Sequence, residues 1–225
     1  MLAYREYLDR LVTAGVDFFE VSLFGATAAT HDAISAAPEA YEQTIAGLRH
    51  LAGLPERGIT HVGHLVTVAV LAANVEELVA TVELVHELGL RRLQFNFTRP
   101  VQIDGQWRTG LLARLDDAGP AIRAAMRRAR ALDLVVSTEA VPLCHLGPED
   151  RPAAECARDF VDVRVVDLHR KHDSFAAHHR EVRPLGSACE GCSVADVCPT
   201  TWAAYQQQLG THELRPLAKP DQPVP

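Results

Sequence analysis

Long apolar runs are missing from this sequence: no segment approaches the roughly 18 consecutive apolar residues of a membrane-spanning helix, so none is expected to cross a membrane. The first ten residues scatter Arg5, Glu6, Asp9 and Arg10 among isolated apolar side chains, which is not the charged-then-apolar order of a secretory signal. Positive charge is also scarce. A net charge of -7 argues against a broad nucleic-acid footprint, which needs a basic face. Arg123, Arg127, Arg128 and Arg130 form a local exception on an expected helix, where such clusters read as a solvated face. Cysteine is absent from the first 143 residues, and all five cysteines fall between residues 144 and 198. The expected compartment is the cytosol, where cysteines serve metal ligation or catalysis rather than structural disulfides.

What is present is enough for a core: 225 residues, 48% of them hydrophobic. Up to about residue 140, amphipathic helices alternate with short β-rich runs, the pattern of βαβ units and a parallel sheet. Strands are expected at residues 18–24, 61–71, 92–98 and 134–138. Helices are expected at about 2–14, ending at Gly15, from about Pro38 to Gly53, and from about Asn74 to Gly89. Asn74 followed by Glu77 reads as a capping box. An irregular stretch after Arg99 and Pro100 leads to a helix expected to begin near Pro120 in the first-turn position.

Two strands carry a further message. Phe19, Val21 and Leu23 alternate with Glu20 and Ser22, and Leu93, Phe95 and Phe97 alternate with Gln94, Asn96 and Thr98. A parallel sheet covered on both faces reads instead as continuous apolar runs. One polar face suggests an open or partial barrel with a polar ligand in its lumen, or else a solvated sheet edge. Thr67 fits the polar face less cleanly, since its neighbours there are Leu65 and Ala69. The expected fold class is therefore α/β: a partial, incomplete parallel β/α barrel over 1–140, a small cysteine-rich module over 141–217, and a disordered proline-bearing tail over 218–225. Within the module the run 161–166 alternates like a hairpin strand.

Cys189 and Cys192 stand in a Cys-x2-Cys pair that presents two thiolates to one centre from a single turn, with Gly191 supplying conformational freedom. Cys198 returns as a third ligand. Cys144, just after the fourth strand, is the first choice for a fourth, and Cys156 is the alternative. His169, His172, His178 and His179 offer nitrogen ligands or lie on an exposed connection. Spacing alone leaves zinc and an iron-sulfur cluster both open.

The segment Val21-Ser22-Leu23-Phe24-Gly25, with Thr30-His31-Asp32 and the helix from Tyr41 to Leu48, resembles the fourth barrel strand and following helix of the radical S-adenosylmethionine (radical SAM) enzymes. The run from Val66 to Asn74 resembles the fifth strand, and Leu93 to Pro100 the sixth. Cys189, Cys192 and Cys198, followed by Trp202, Tyr205, Gly210 and Glu213-Leu214, are similar to the auxiliary-cluster ending of members with a SPASM or twitch domain. The resemblance implies an auxiliary [4Fe-4S] cluster on these cysteines. It also implies that Ser22 lies near S-adenosylmethionine and that Thr67, Gln94 and Asn96 line the same lumen.

The family's Cys-x3-Cys-x2-Cys motif for the catalytic cluster has no counterpart here, nor does its glycine-rich motif of the second strand; an arginine common just before the position of Asn74 is absent, and Thr200 replaces a common glycine. The resemblance thus implies the C-terminal part of an enzyme that generates a 5′-deoxyadenosyl radical for hydrogen abstraction from an unknown substrate. S-adenosylmethionine would bind only when a polypeptide carrying the missing half is supplied. The other reading is a non-catalytic iron-sulfur or zinc protein that uses the half-barrel as an interaction surface, with neither nucleic acid nor membrane as partner.

Overall fold

The computed structural model describes residues 1–155, 165–166, 171–172 and 174–218. Four strands, β1 (Phe18–Ser22), β2 (Gly63–Val70), β3 (Arg92–Phe97) and β6 (Val135–Glu139), form one parallel sheet in that order. Between β3 and β6 lies a two-stranded hairpin, β4 (Gln102–Ile103) and β5 (Gln106–Trp107). Its turn is Asp104-Gly105 with both residues at positive φ, 52° and 73°, the left-handed pair that a two-residue hairpin loop demands. The stretch expected to be irregular therefore contains a local element with a recognisable Asp-Gly signature. A second small hairpin pairs β7 (Val165–Val166) with β8 (Lys171–His172), so the end of the 161–166 run is a strand; residues 161–164 lie outside the described residues.

The helices follow hydrophobic spacing. They are α1 (Arg5–Thr13), α2 (Ala28–Ser35), α3 (Ala40–Ala52), α4 (Leu78–Glu87), α5 (Leu115–Ala131), α6 (Phe175–Val182) and α7 (Ala203–Leu209). Helix α2 was not expected, although Thr27 caps it by accepting from the Thr30 N–H at 3.3 Å. Helix α5 begins before Pro120, which lies inside it; Asp116 and Asp117 favour the earlier start by facing the positive end of the helix dipole.

The Asn74–Glu77 capping box does not form: no side chain caps the turn at Asn74. The buried Asn74 side chain accepts from Leu71 N (2.9 Å) and donates to Phe24 O (2.8 Å) and Ala69 O (2.7 Å), tying the exits of β1 and β2 together. Glu77 reaches across to Ala26 N at 2.9 Å and to the Thr30 hydroxyl. Asparagine spends its groups on buried backbone atoms because orphans there cost more than an exposed helix end.

The helix-facing side of the sheet is apolar: Val66, Val68, Val70, Leu93, Phe95 and Phe97 are all buried. Leu143, Leu146, Cys198, Tyr205 and Leu214, from the cysteine-bearing segment, belong to the same buried cluster as the strands. Among the described residues no helix is long and apolar enough to cross a membrane.

Three histidines are held neutral. Burial lowers the pKa of His31, His64 and His145 below the usual 6.5. The His31 ring accepts from Phe24 N and the His64 ring from Arg91 N, both at 3.1 Å, while His145 Nε2 donates to Glu213 O at 2.8 Å. Because the unfolded chain binds these protons first, stability is present above the unfolded pKa and is lost as pH falls below about 6.5. Urea midpoints should therefore drop between about pH 7.5 and about pH 5.5, and His31→Gln should flatten that drop.

Candidate metal centre

Four cysteines from three segments line one small cavity: Cys144, Cys189, Cys192 and Cys198, with Pro142, Leu185, Val194, Thr200 and Leu214 around them. Cys144 arrives in a short turn after β6 (Leu143–His145), and Cys189 ends another (Ser187–Cys189). Gly191 sits at φ 73°, with open space where a side chain would be, so the chain reverses between Cys189 and Cys192. A turn follows in which Cys198 N donates to Val194 O at 2.9 Å, bringing the third thiol back. Cys156 lies outside the described residues.

All four thiols are unbridged; Cys198 is buried and the others half-buried. Backbone N–H groups point at three of them. Cys198 Sγ accepts from Leu143 N and Thr200 N, both at 3.4 Å, Cys192 Sγ from Leu217 N at 3.4 Å, and Cys144 Sγ from Arg215 N at 3.5 Å. Donors aimed at sulfur stabilise thiolate charge and tune a bound metal. Burial pushes the pKa of Cys144, Cys189 and Cys198 up, and neighbouring sulfurs add to it, against the backbone donors. Burial thus favours the protonated form of Cys144, Cys189 and Cys198, and a cation that binds these three must displace protons.

The donor set suits a thiolate-bound metal group. Among the described residues no three His, Cys, Asp or Glu side chains close around a single ion. The space between the thiols is about 20 Å³, about what one water requires. The described histidines take no part: His178 Nδ1 lies 3.5 Å from Glu181, and His179 Nε2 lies 3.3 Å from Glu155. His169 and the side chain of His172 lie outside the described residues.

Thr200 stands at φ 54°, a left-handed conformation unusual for a β-branched residue. Its hydroxyl donates to Arg183 O at 2.8 Å while its N–H serves Cys198. The glycine expected there by resemblance is thus replaced by a residue whose side chain holds the strained turn.

The polar sheet face is real and in register. Ser22 pairs with Thr67, Thr67 with Gln94, and Gln94 with Ser137, one row across all four strands; Ala69, Asn96 and Glu139 form the next. Ser22 Oγ lies 3.3 Å from Thr67 Oγ1. Thr67 is buried, Gln94 and Asn96 half-buried, Ser22 exposed. Asn96 Oδ1 is buried with no hydrogen-bond partner among the described residues. Ser137 and Glu139 were missed, although Val136 and Thr138 alternate with them in the sequence as clearly as in the other strands.

Glu139 joins this face to the cysteine segment. Arg183, 4% exposed, donates to Glu139 Oε1 at 2.5 Å and to Glu155 Oε2 at 3.2 Å. Its guanidinium lies 4.1 Å from the Trp202 ring centroid, and Trp202 Nε1 donates to Phe97 O at 2.6 Å. Burial raises the Glu139 pKa, with Arg183 working against it. None of the four polar-face candidates, Ser22, Thr67, Gln94 and Asn96, lines the cysteine cavity. Of the arginine cluster, Arg123 donates to His145 O at 2.7 Å, Arg128 to Glu83 at 2.9 Å, and Arg130 pairs with Asp150, so these are structural partners of their own fold.

No family model matches the chain. Over 86 residues it is 37% identical to the AdoMet-dependent heme synthase of Methanosarcina barkeri (strain Fusaro / DSM 804), a match covering 37% of this chain and 22% of that protein. The match thus spans less than a quarter of the relative's length.

Proposed function

We infer that this chain is part of a radical SAM enzyme and carries an auxiliary [4Fe-4S] cluster on Cys144, Cys189, Cys192 and Cys198. The observation that carries the reading is the convergence of four thiols from three segments on one cavity, three of them with backbone donors. The partial similarity to an AdoMet-dependent enzyme supports the family, and four parallel strands in sequential order support a segment of a β/α barrel. In such an enzyme a catalytic cluster, when bound, would supply the one electron that breaks a C–S bond of S-adenosylmethionine, giving methionine and a 5′-deoxyadenosyl radical for hydrogen abstraction. This chain contributes the polar sheet face, with Ser22, Thr67 and Gln94 in one row and Asn96 in the next, as the lumen wall for ligand, and the cysteine centre. The ligands of the catalytic cluster come from another polypeptide or segment, since no cysteine precedes Cys144 in this sequence.

Anaerobic reconstitution with iron and sulfide tests the metal identity. The expected product is brown, with about four irons and about four sulfides per chain. A colourless protein that takes up zinc and excludes iron would overturn the cluster.

The exposed edge strand β1, with Phe18 45% exposed, favours a second reading as an interaction protein that pairs through that edge. S-adenosylmethionine cleavage by the chain together with the polypeptide carrying the catalytic cluster separates the two. The first reading expects cleavage that depends on this chain, the second expects none.

A further inference from the structure

The hairpin of β4 and β5 pairs with no third strand among the described residues. Gln102 lies opposite Trp107 and Ile103 opposite Gln106, and the Arg108 N–H extends the ribbon by donating to Val101 O at 3.1 Å. Side chains alternate between its two faces, and directly opposed residues share one. Half-buried Trp107 is thus on the face of Gln102, while Val101, Ile103 and Arg108 share the other. That second face is bare: Val101 and Ile103 are 49% and 48% exposed, and Arg108 is exposed with no ion pair among the described residues. A two-stranded ribbon is marginal in water unless a surface covers it.

The base of the hairpin runs into a groove. Leu111, 60% exposed, accepts from Ala72 N at 3.1 Å, and the next residue, Leu112, bridges to Leu71. Leu112 lines a groove of about 600 Å³, with Val75, Ala113 and Ala121 as further apolar lining. Four charged residues line it as well, Glu76, Arg114, Asp116 and Asp117. Arg114 is paired with Glu213 and Asp116 with Arg215. Glu76 and Asp117 are left as exposed carboxylates with no ion pair among the described residues. One patch of surface therefore holds an apolar ridge with an unpaired cation and, beside it, a part-apolar groove with two unpaired anions. Exposed apolar surface with a polar rim marks an interaction site, opposite charges fix its register, and a patch complementary to itself is what a two-fold pair of identical chains requires.

We propose that this face binds a second copy of the chain. The hairpin of each protomer lies in the groove of the other, Val101 and Ile103 against its apolar lining and Arg108 against Glu76 and Asp117. Sedimentation equilibrium of the full chain over about 1–100 μM tests it and should give twice the chain mass at the upper end. Ile103→Asp should raise the dissociation constant at least about tenfold, as loss of an apolar anchor does, and leave the urea midpoint unchanged because the position is exposed. Arg108→Glu and Glu76→Arg should each weaken the pair several-fold, and the two together should recover part of that loss, since the reversed charges again face each other. If Ile103→Asp does not fold, the charge variants decide. A chain that is monomeric throughout overturns the pairing, and so does a dimer whose dissociation constant ignores all three changes. A chain that stays monomeric alone but binds the polypeptide carrying the catalytic cluster, and loses that binding on Ile103→Asp, assigns the face to that partner and overturns the second copy. None of these readouts involves iron, so the outcome is independent of the cysteine centre.

Discussion

Replacing Arg183 with methionine should destabilise the protein by about 3–5 kcal/mol, the cost of breaking a buried ion pair from one side. Arg183 is 4% exposed and its guanidinium bridges Glu139 and Glu155, so its removal leaves two carboxylates, 27% and 13% exposed, without their cation. The Trp202 ring also loses its cation-π partner. The sign of the pH dependence identifies the cause. Burial already raises the Glu139 pKa above 4.5, so the folded state binds that proton before the unfolded one, and stability rises as pH falls through the window above 4.5. Without Arg183 the window widens, and the deficit of the variant should shrink toward about pH 5. Adding Glu139→Gln should restore part of the loss, a coupling of about 0.5–3 kcal/mol. Chemical denaturation of the single and double variants at two pH values checks both statements. A loss that is independent of pH and not rescued by Glu139→Gln would mean that packing rather than charge explains Arg183.

Phe95→Ala should cost about 3–5 kcal/mol. Phe95 is wholly buried in the interior strand β3, in register between Val68 and Thr138, so its loss opens a void within the apolar core. Val135→Ala, on β6 but 62% exposed, should change stability by no more than about 0.5 kcal/mol. Urea unfolding separates them: the first should move the midpoint with little change in slope, the second should move neither. Similar losses at the two positions would contradict the assignment of the apolar face.

Alternation in residues 18–22 and 92–97 made the two faces of β1 and β3 legible, because a sheet covered on one side imposes a period of two. The same rule applied to residues 135–139 would have found Ser137 and Glu139. Local rules failed where tertiary contacts outbid them. Asn74 reads as a helix cap, but the orphaned backbone atoms of Phe24, Ala69 and Leu71 claim its side chain. Pro120 reads as a helix start, yet the helix begins earlier, at Leu115, whose N–H donates to the Tyr205 hydroxyl at 3.1 Å. The Asp104-Gly105 hairpin was written in the residues and passed over.

At the candidate site, Cys189, Cys192 and Cys198, set apart by their spacing, and Cys144, which follows the fourth strand of the sheet, line one cavity, while Cys156, the alternative for the fourth position, lies outside the described residues. Arg183 could not be found this way. Its role depends on Glu139, Glu155 and Trp202 meeting across distant stretches of chain, and no local pattern encodes that.

The most direct measurement is iron content after anaerobic reconstitution of five single Cys→Ala variants of the whole chain, scored beside wild type for iron, sulfide and zinc. If one cluster sits on four thiols, the variants at Cys144, Cys189, Cys192 and Cys198 should each fall well below about four irons per chain while Cys156→Ala keeps them. Full iron in Cys144→Ala together with loss in Cys156→Ala would contradict the ligand set, and full iron in all five would contradict the site.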